Sequence, residues 1–192
     1  EQREGVELVP TVDQERVIAA LEKSLCARAF HGALLHGVTG SGKTLVYMHL
    51  ARSALAQQRS TIVLVPEIAL AWQMVRRFKQ HFGDDVAVLH SQLSAGERYD
   101  TWKRLRRGEQ RVVIGARSAV LAPLPDVGLL IVDEEHDTSY KQEDLESGFP
   151  LSYSARDLAL VRGQRQRALV VLGSATPSLE SYANAEHGKY TL

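Results

Sequence analysis

The sequence has a single cysteine, Cys26, among its 192 residues. It can form neither an internal disulfide nor a cysteine-rich zinc site, and such sparing use of cysteine fits a reducing compartment. No apolar run reaches the roughly 20 residues that a membrane-spanning helix needs. The first residues are charged, unlike those of a secretory signal. We therefore expect a cytoplasmic protein with no membrane partner.

An excess of charge of one sign is also missing, since 23 basic residues balance 23 acidic ones. Without a strong overall field, any contact with nucleic acid must be local. Hydrophobic residues make up 44% of the chain, which is enough to bury one core. We expect one structural domain. Because the sequence starts without Met and ends at Leu192 without a polar tail, we also expect it to be a piece of a larger protein.

Short apolar runs alternate with helical patterns along the chain. Strands buried on both faces are predicted over 33–36, 61–65, 86–90, 111–115, 129–133 and 168–172. Apolar residues at spacings of three and four predict helices over 13–28, 43–57, 68–82 and 95–107, with Asp13 and Ser94 as N-caps. The alternation predicts an α/β fold with a mostly parallel central sheet flanked by helices. The acidic segment 142–154 lacks a period and is expected to be a surface excursion.

The strongest chemical signal is a phosphate-loop pattern, G-x-x-x-x-G-K-[ST], between a predicted strand and a predicted helix. Its glycines let backbone N–H groups turn inward around phosphate oxygens. Lys43 would reach the β- and γ-phosphates, and Thr44 would bind Mg²⁺. The alternative is an ordinary glycine turn followed by a surface lysine. The expected nucleotide-binding residues are Gly37, Val38, Thr39, Gly40, Ser41, Gly42, Lys43 and Thr44.

The second signal is an acidic run at the end of a predicted apolar strand, where parallel sheets bind their ligands. Asp133 would hold Mg²⁺, and Glu134 would orient and deprotonate an attacking water. With Lys43, these two acids are the expected catalytic residues. Taken alone, the run could be a strand that ends in a solvated acidic turn.

The third signal is Gly-Ser-Ala-Thr-Pro over 173–177, again directly after an apolar strand. Ser174 and Thr176 could sense the γ-phosphate and relay its loss, and His136 could link the acidic run to this motif. The alternative is a plain strand-to-helix turn in which Thr176 caps a helix that starts at Pro177.

In this order the three signals resemble motifs I, II and III of superfamily 2 helicases. Further motifs are similar to those of the primosomal replication-restart helicases and cover nearly the whole chain. They comprise Leu-Val-Pro-Glu-Ile over 64–68, Leu-His-Ser over 89–91 with Glu97-Arg98, Gly-Ala-Arg-Ser-Ala over 115–119, Asp-Glu-Glu-His-Asp over 133–137, Ser-Tyr-Lys-Gln over 139–142 and Ala-Arg-Asp over 155–157. The acidic box with its Tyr-Lys-Gln sequel is the most specific element.

The resemblance implies the first RecA-like motor domain of a bacterial 3′-to-5′ DNA helicase. Such a motor uses ATP and Mg²⁺ to move along single-stranded DNA and to unwind forks during replication restart. Its partners would be single-stranded and forked DNA, a second RecA-like domain and a zinc-binding insert of the same longer chain, and other primosome and single-strand-binding proteins. An N-terminal helix with an adenine-contacting element would span 1–30, and the RecA-like domain 31–192.

Site residues also follow from the resemblance. Thr11 and Gln14 match the adenine-contacting element, and the segment after Asp137 resembles an aromatic-rich loop that couples DNA occupancy to hydrolysis. Two departures from the family pattern are Ala71-Trp72 before Gln73 and a missing Arg in 148–153. The residues expected to face DNA are Pro66, Glu67, Gly115, Arg117, Ser118, Tyr140, Lys141, Tyr153 and Arg156.

Two other functions fit the same motifs. One is another superfamily 2 motor, such as a branched-DNA translocase or a restriction-enzyme motor. The other is a regulatory module that binds nucleotide without useful turnover. If the chain is a helicase domain, it should bind nucleotide but hydrolyse it slowly alone, because the arginine finger comes from the second motor domain.

Overall fold

The computed structural model describes residues 9–66, 72–90, 92–142 and 153–192. Its strands are β1 (His31–His36), β2 (Ser60–Leu64), β3 (Val86–Leu89), β4 (Val112–Gly115), β5 (Val127–Asp133), β6 (Lys141–Gln142), β7 (Tyr153–Ser154) and β8 (Leu169–Ser174). Its α-helices are α1 (Val12–Cys26), α2 (Lys43–Ala56), α3 (Trp72–Phe82), α4 (Ala95–Arg106), α5 (Ala155–Gln166) and α6 (Leu179–Glu186). Short 3₁₀ turns lie at Gly83–Asp85, Arg117–Leu121 and Thr138–Tyr140.

The six apolar runs form one parallel sheet, as predicted, in the order β1-β8-β5-β2-β4-β3. The strands that precede the three chemical motifs, β1, β5 and β8, are neighbours in this order. Their carboxyl ends therefore meet at one edge of the sheet, with His36 paired to Ser174 and Asp133 paired to Gly173. Topology alone brings the three motifs together.

Helices cover both faces of the sheet, which explains why the strands are apolar throughout. Val63 packs in one core, whereas its neighbours Ile62 and Leu64 pack in the other. The first core includes side chains from α1, α2 and α3, and the second includes side chains from α4 and α5. Among the described residues, no helix combines the length and hydropathy that a membrane crossing requires.

One predicted helix cap and one alternative reading of the third motif are wrong. Thr11, not Asp13, caps α1, since its side chain accepts from the Gln14 backbone N–H while the Gln14 side chain accepts from the Thr11 N–H at 2.9 Å. Ser178, not Thr176, caps α6, so this helix starts later than Pro177. The N-cap is the residue whose side-chain oxygen accepts a hydrogen bond from a free N–H in the first turn of the helix. Where several residues with such oxygens lie close together, the sequence does not show which one makes this bond. The predicted Ser94 cap of α4 is confirmed.

The predicted surface excursion lies mostly outside the described residues. Its two ends, β6 and β7, form a small antiparallel pair in which Lys141 lies opposite Ser154. α5 begins directly after β7. The hairpin therefore connects the acidic turn after β5 to the first turn of α5.

A close approach between α2 and β8 depends on Gly173. A Cβ atom at this position would collide with the Tyr47 hydroxyl oxygen and lie 3.0 Å from the Tyr47 ring carbon that bears it. Tyr47 is itself fully buried. Only glycine leaves room for the phenol at this point of the sheet.

We predict that Gly173→Ala destabilises the domain by about 1–3 kcal/mol, because an added methyl in a packed core forces its neighbours apart. Gly96→Ala is the matched control: Gly96 lies in α4 with open space around its Cβ position, and alanine there should stabilise by about 0.5–1 kcal/mol. Chemical denaturation monitored by circular dichroism measures both. Equal stabilities for Gly173→Ala and the wild-type chain would contradict the close approach.

Candidate active site

The phosphate loop turns from β1 into α2 through two glycines with left-handed backbone. Gly40 and Gly42 both have a φ of 82°, which other residues adopt only under strain. Gly42 directly precedes α2, so the free N–H groups of that helix point into the loop. Such a helix start is a ready anion site. The backbone thus has the form that a phosphate group requires.

Lys43 lies between the loop and the acidic turn. Its ammonium group donates to the Gly37 carbonyl at 2.8 Å and lies 3.7 Å from a Glu134 carboxylate oxygen. The side chain is only 10% exposed. The Lys43 ammonium group has only a neutral carbonyl and one carboxylate as partners. A more highly charged anion, such as a polyphosphate, would attract it more strongly than these partners do.

The acidic turn at the end of β5 contains a strained residue. Glu134 has a φ of 47°, a left-handed conformation that costs free energy for any residue with a side chain. Backbone hydrogen bonds hold it in place, from the Glu135 N–H to the Gly173 carbonyl at 3.0 Å and from the Asp137 N–H to the Glu134 carbonyl at 2.9 Å. Strain of this kind persists only where the surroundings fix the backbone.

Two buried tyrosines hold Asp133. The Tyr47 hydroxyl donates to its carboxylate at 2.9 Å, and the Tyr140 hydroxyl donates to its backbone carbonyl at 2.6 Å. Burial raises the pKa of Asp133, although the Tyr47 hydrogen bond opposes that shift. Burial, followed by the charge of Asp133, raises the pKa of Tyr47 well above its ordinary value. The phenol therefore remains protonated and acts as the donor.

Asp133 and Thr44 are suited to Mg²⁺. This ion binds a few hard oxygen ligands and keeps several waters. Within the described ranges, no three His, Cys, Asp or Glu side chains form a metal cage. A carboxylate and a hydroxyl beside a phosphate loop suit an ion that arrives with its nucleotide.

The third motif contacts both of the others. The Ser174 hydroxyl lies 2.8 Å from Nδ1 of His136 and accepts from the Thr176 backbone N–H at 3.0 Å. The Ser174 carbonyl accepts from the N–H of Gly37, the first residue of the phosphate loop, at 3.1 Å. The three predicted coupling residues thus lie together. Thr176 takes part through its backbone N–H rather than its hydroxyl.

Thr11 and Gln14 lie beside the phosphate loop. The Gln14 side-chain amide donates to the Ser41 carbonyl at 2.7 Å. A cleft of about 250 Å³ opens there, partly lined by Val17 and Leu35. Apolar walls next to one amide side chain suit a flat nitrogen-containing ring.

Several residues predicted to face DNA lie together at the carboxyl edge of the sheet. Arg117 donates to the Lys141 carbonyl at 3.1 Å, and Ser139 donates to the Pro66 carbonyl at 3.1 Å. Ser118 is exposed beside them. Gly115 is buried instead, and a Cβ there would lie 2.6 Å from the Leu89 carbonyl oxygen. Glu67 lies outside the described residues.

Three predicted DNA contacts have other surroundings. Tyr140 is 1% exposed, so the structure contradicts its expected stacking on bases. Tyr153 is half-buried against the core. Arg156 is held by carboxylates of Glu135, Asp157 and Glu180. Burial disfavours its charge, but the hydrogen bonds to Glu180 and Asp157 more than offset this and raise the pKa of Arg156. Its charge is therefore neutralised within the protein.

Sequence reasoning missed two residues of this site, Tyr47 and Glu135. Tyr47 lies 86 positions from its partner Asp133, so no local pattern reveals the contact. Glu135 stands inside the acidic run, yet only the structure shows that its carboxylate is buried and bound by four donors. Three acids in a row are usually solvated.

Residues 11–185 match the family model of the DEAD/DEAH box helicases. The chain belongs to this family. A DEAD/DEAH box helicase domain implies the use of a nucleotide and Mg²⁺, which the geometry above accommodates.

The chain is also similar to curated relatives in the DEAD/DEAH box family. It is 52% identical over 185 residues to the replication restart protein PriA of Chlamydia trachomatis serovar D, covering 95% of this chain and 24% of that protein. It is 48% identical over 187 residues to PriA of Bacillus subtilis strain 168, covering 97% of this chain and 23% of that protein. The chain thus spans about a quarter of the length of these relatives.

Solved structures confirm the RecA-like fold expected for a DEAD/DEAH box helicase domain. RecG bound to a three-way DNA junction superimposes with a TM-score of 0.69 at 25% identity, covering 95% of this chain and 23% of that one. The Pyrococcus furiosus Hef helicase domain superimposes with a TM-score of 0.62 at 21% identity. This match covers 95% of this chain and 37% of that one. The second likeness supports the fold alone.

We predict that Lys43→Ala removes most ATP binding, because it deletes the charge that lies between the loop and Glu134. Lys23→Ala, on the exposed face of α1, is the matched control and should bind as the wild type does. Isothermal titration with ATP and Mg²⁺ measures both. Unchanged affinity in Lys43→Ala would contradict the phosphate-loop assignment.

We predict that Tyr47→Phe raises the Mg²⁺ concentration needed for half-maximal ATP binding about 10-fold, because Asp133 loses the donor that orients it. Tyr99→Phe, which changes an exposed ring in α4, should leave that concentration unchanged. Nucleotide binding measured across a Mg²⁺ titration distinguishes the two. Equal Mg²⁺ dependence in both variants would mean that Tyr47 does not position the carboxylate.

Proposed function

We propose that this chain is the first RecA-like, ATP-binding motor domain of a 3′-to-5′ DNA helicase. In the full-length protein it would couple ATP hydrolysis to movement along single-stranded DNA and to fork unwinding during replication restart. The observation that carries the proposal is the meeting of Lys43, Glu134 and Ser174 at one edge of the sheet. The 52% identity to a replication restart protein supports the biological setting.

ATP would lie along the phosphate loop, with its adenine toward Thr11 and Gln14. The free backbone N–H groups of the loop and of the first turn of α2 would bind phosphate oxygens, and Thr44 and Asp133 would hold Mg²⁺. When bound, that ion neutralises charge on the β- and γ-phosphates. The Lys43 ammonium would contribute further positive charge where negative charge develops.

Glu134 is proposed as the general base. Its carboxylate would orient a water in line with the γ-phosphorus and accept a proton as the new P–O bond forms and the bond to the β-γ bridging oxygen breaks. In the structure this carboxylate pairs with Lys43 at 3.7 Å. A phosphate that draws Lys43 away would release Glu134 for water, so nucleotide binding itself would prepare the base.

The third motif is proposed to report the state of the γ-phosphate. Ser174 joins His136 through its hydroxyl and Gly37 through its carbonyl. Any shift of the phosphate loop would therefore reach the acidic turn through one buried residue. Thr176, bonded to the same hydroxyl, would carry the shift toward α6.

DNA is proposed to pass over the carboxyl edge of the sheet. Arg117 and Lys141 contact each other there, Ser118 is exposed next to Arg117, and Pro66 contacts Ser139; Glu67 and Tyr153 remain proposals from the family resemblance. Backbone and side-chain donors at such an edge suit phosphate contacts, which position a strand without reading its sequence. Because the chain has no net charge, this local patch would supply the attraction.

The proposed helicase needs parts beyond this domain. A second motor domain would supply an arginine finger, worth about 10³ to 10⁵ in turnover, and a zinc-binding insert would belong to the same longer chain. Forked DNA, single-strand-binding protein and other primosome proteins are proposed partners. The chain alone should then bind ATP but hydrolyse it slowly.

Another superfamily 2 DNA translocase is the second candidate, because RecG superimposes over 95% of the chain. The identity to RecG is 25%, against 52% to a replication restart protein, which favours the restart helicase. A regulatory nucleotide-binding module is the third, and it would show no DNA-stimulated turnover in the full-length protein.

We predict that Glu134→Gln in the full-length protein spares ATP binding but abolishes unwinding of forked DNA, because glutamine cannot accept the proton. Glu109→Gln, which alters an exposed acid after α4, is the matched control and should unwind normally. A strand-displacement assay with ATP measures both. Normal unwinding by Glu134→Gln would require another base, and the absence of unwinding by the wild type would contradict the helicase proposal.

A further inference from the structure

Glu135 is a charged residue that the mechanism above does not use. Its side chain is 0% exposed. One carboxylate oxygen accepts from the Ser178 backbone N–H at 2.7 Å. The other accepts from the hydroxyls of Ser181 at 2.8 Å and Ser178 at 3.1 Å, and from an Arg156 guanidinium nitrogen at 3.3 Å. All four donors come from outside its own strand and turn.

This carboxylate carries a large desolvation cost, which only a full set of donors offsets. Packing alone would be served as well by an apolar side chain of the same size. What the charge adds is orientation, because four donors fix the Glu135 carboxylate in one place. Glu135 directly follows the strained residue Glu134. Fixing the Glu135 carboxylate therefore also restrains the backbone of Glu134.

The donors belong to two separate segments. Ser178 caps α6, which follows the third motif, whereas Arg156 lies in the first turn of α5. α5 in turn follows the β6–β7 hairpin. Glu135 thus joins the catalytic turn to α6, which follows the third motif, and to α5, which follows the hairpin.

Arg156 extends this connection to the surface. Its guanidinium binds buried Glu135 and also Glu180, which is 75% exposed, at 2.8 Å. A cleft of about 270 Å³, lined in part by Lys141, Ser154 and Leu179, opens beside the cluster. Residues of the hairpin and of α6 both line this cleft, and so does Arg156, which is bonded to Ser178 and Glu180 on the α6 side.

We propose that Glu135 and Arg156 are positioning residues for the catalytic base. Their ion pair holds the Glu134 turn against α5 and α6, and Arg156 acts on turnover through Glu135 rather than by binding a DNA phosphate. This inference rests on the proposed helicase function. It replaces the DNA contact expected for Arg156 from the sequence.

The test uses the full-length protein with Glu135→Gln, Arg156→Met and the double variant. Arg165→Met, on the exposed face of the same helix, is the matched control. Steady-state ATP hydrolysis is measured against single-stranded DNA concentration at several salt concentrations. DNA affinity is measured separately by fluorescence anisotropy, and folding by thermal unfolding.

Each single variant should lower the DNA-saturated turnover by about 10- to 100-fold, as expected for a misplaced catalytic group, with unchanged DNA affinity. The double variant should match the singles, because both remove the same ion pair. Arg165→Met should behave as the wild type. If Glu135→Gln fails to fold, Ser181→Ala, which removes one donor to the same carboxylate, should show the same selective loss of turnover.

A direct DNA contact by Arg156 would give a different result. Arg156→Met would then weaken DNA binding and reduce the slope of log affinity against log salt by about 1, while Glu135→Gln kept normal turnover. That pattern, or multiplicative losses in the double variant, would overturn the inference and leave the helicase proposal intact. A wild-type protein whose hydrolysis ignores DNA would overturn both.

Discussion

The hydrogen bond between the Tyr47 hydroxyl and the Asp133 carboxylate is the contact on which the site depends. Tyr47 projects from α2, which starts in the phosphate loop, and reaches an acid at the end of β5. It passes over Gly173, the first residue of the third motif, at a distance that no other residue would permit. One buried phenol therefore fixes the spacing of all three motifs. The parallel sheet brings the strands of the three motifs together. The Tyr47–Asp133 hydrogen bond then sets how far α2 lies from the ends of β5 and β8.

Around that contact, strain and buried charge are concentrated in four consecutive residues. Asp133 is held by two tyrosines, Glu134 has a left-handed backbone, Glu135 is buried among donors and His136 contacts Ser174. Such a turn persists only because its neighbours determine it from several sides. The hydrogen bonds that hold the turn also link it to α2, to the third motif, to α5 and to α6, so a shift of any of these segments would move the turn. The proposed motor function requires this property, since nucleotide and DNA would each have to influence the other's site.

Much of this arrangement could be predicted from the sequence, because the main signals are local. Apolar runs identify the strands, and the glycine spacing identifies the phosphate loop. The sequence also identifies Lys43, Asp133 and Glu134, which lie close together as expected. What it misses depends on distant side chains: Tyr140 turns into the core to bind the Asp133 carbonyl, and Arg156 is neutralised by acids up to 24 positions away. Neither outcome has a local pattern, so the sequence predicts that both residues face DNA.

Nucleotide hydrolysis at this turn is proposed to respond to DNA. The most direct measurement is steady-state ATP hydrolysis by the full-length protein with and without single-stranded DNA at low, stated salt, because phosphate contacts weaken as salt rises. We expect DNA to stimulate hydrolysis strongly. Bound nucleotide with no stimulation would contradict it and would point to a regulatory nucleotide-binding module.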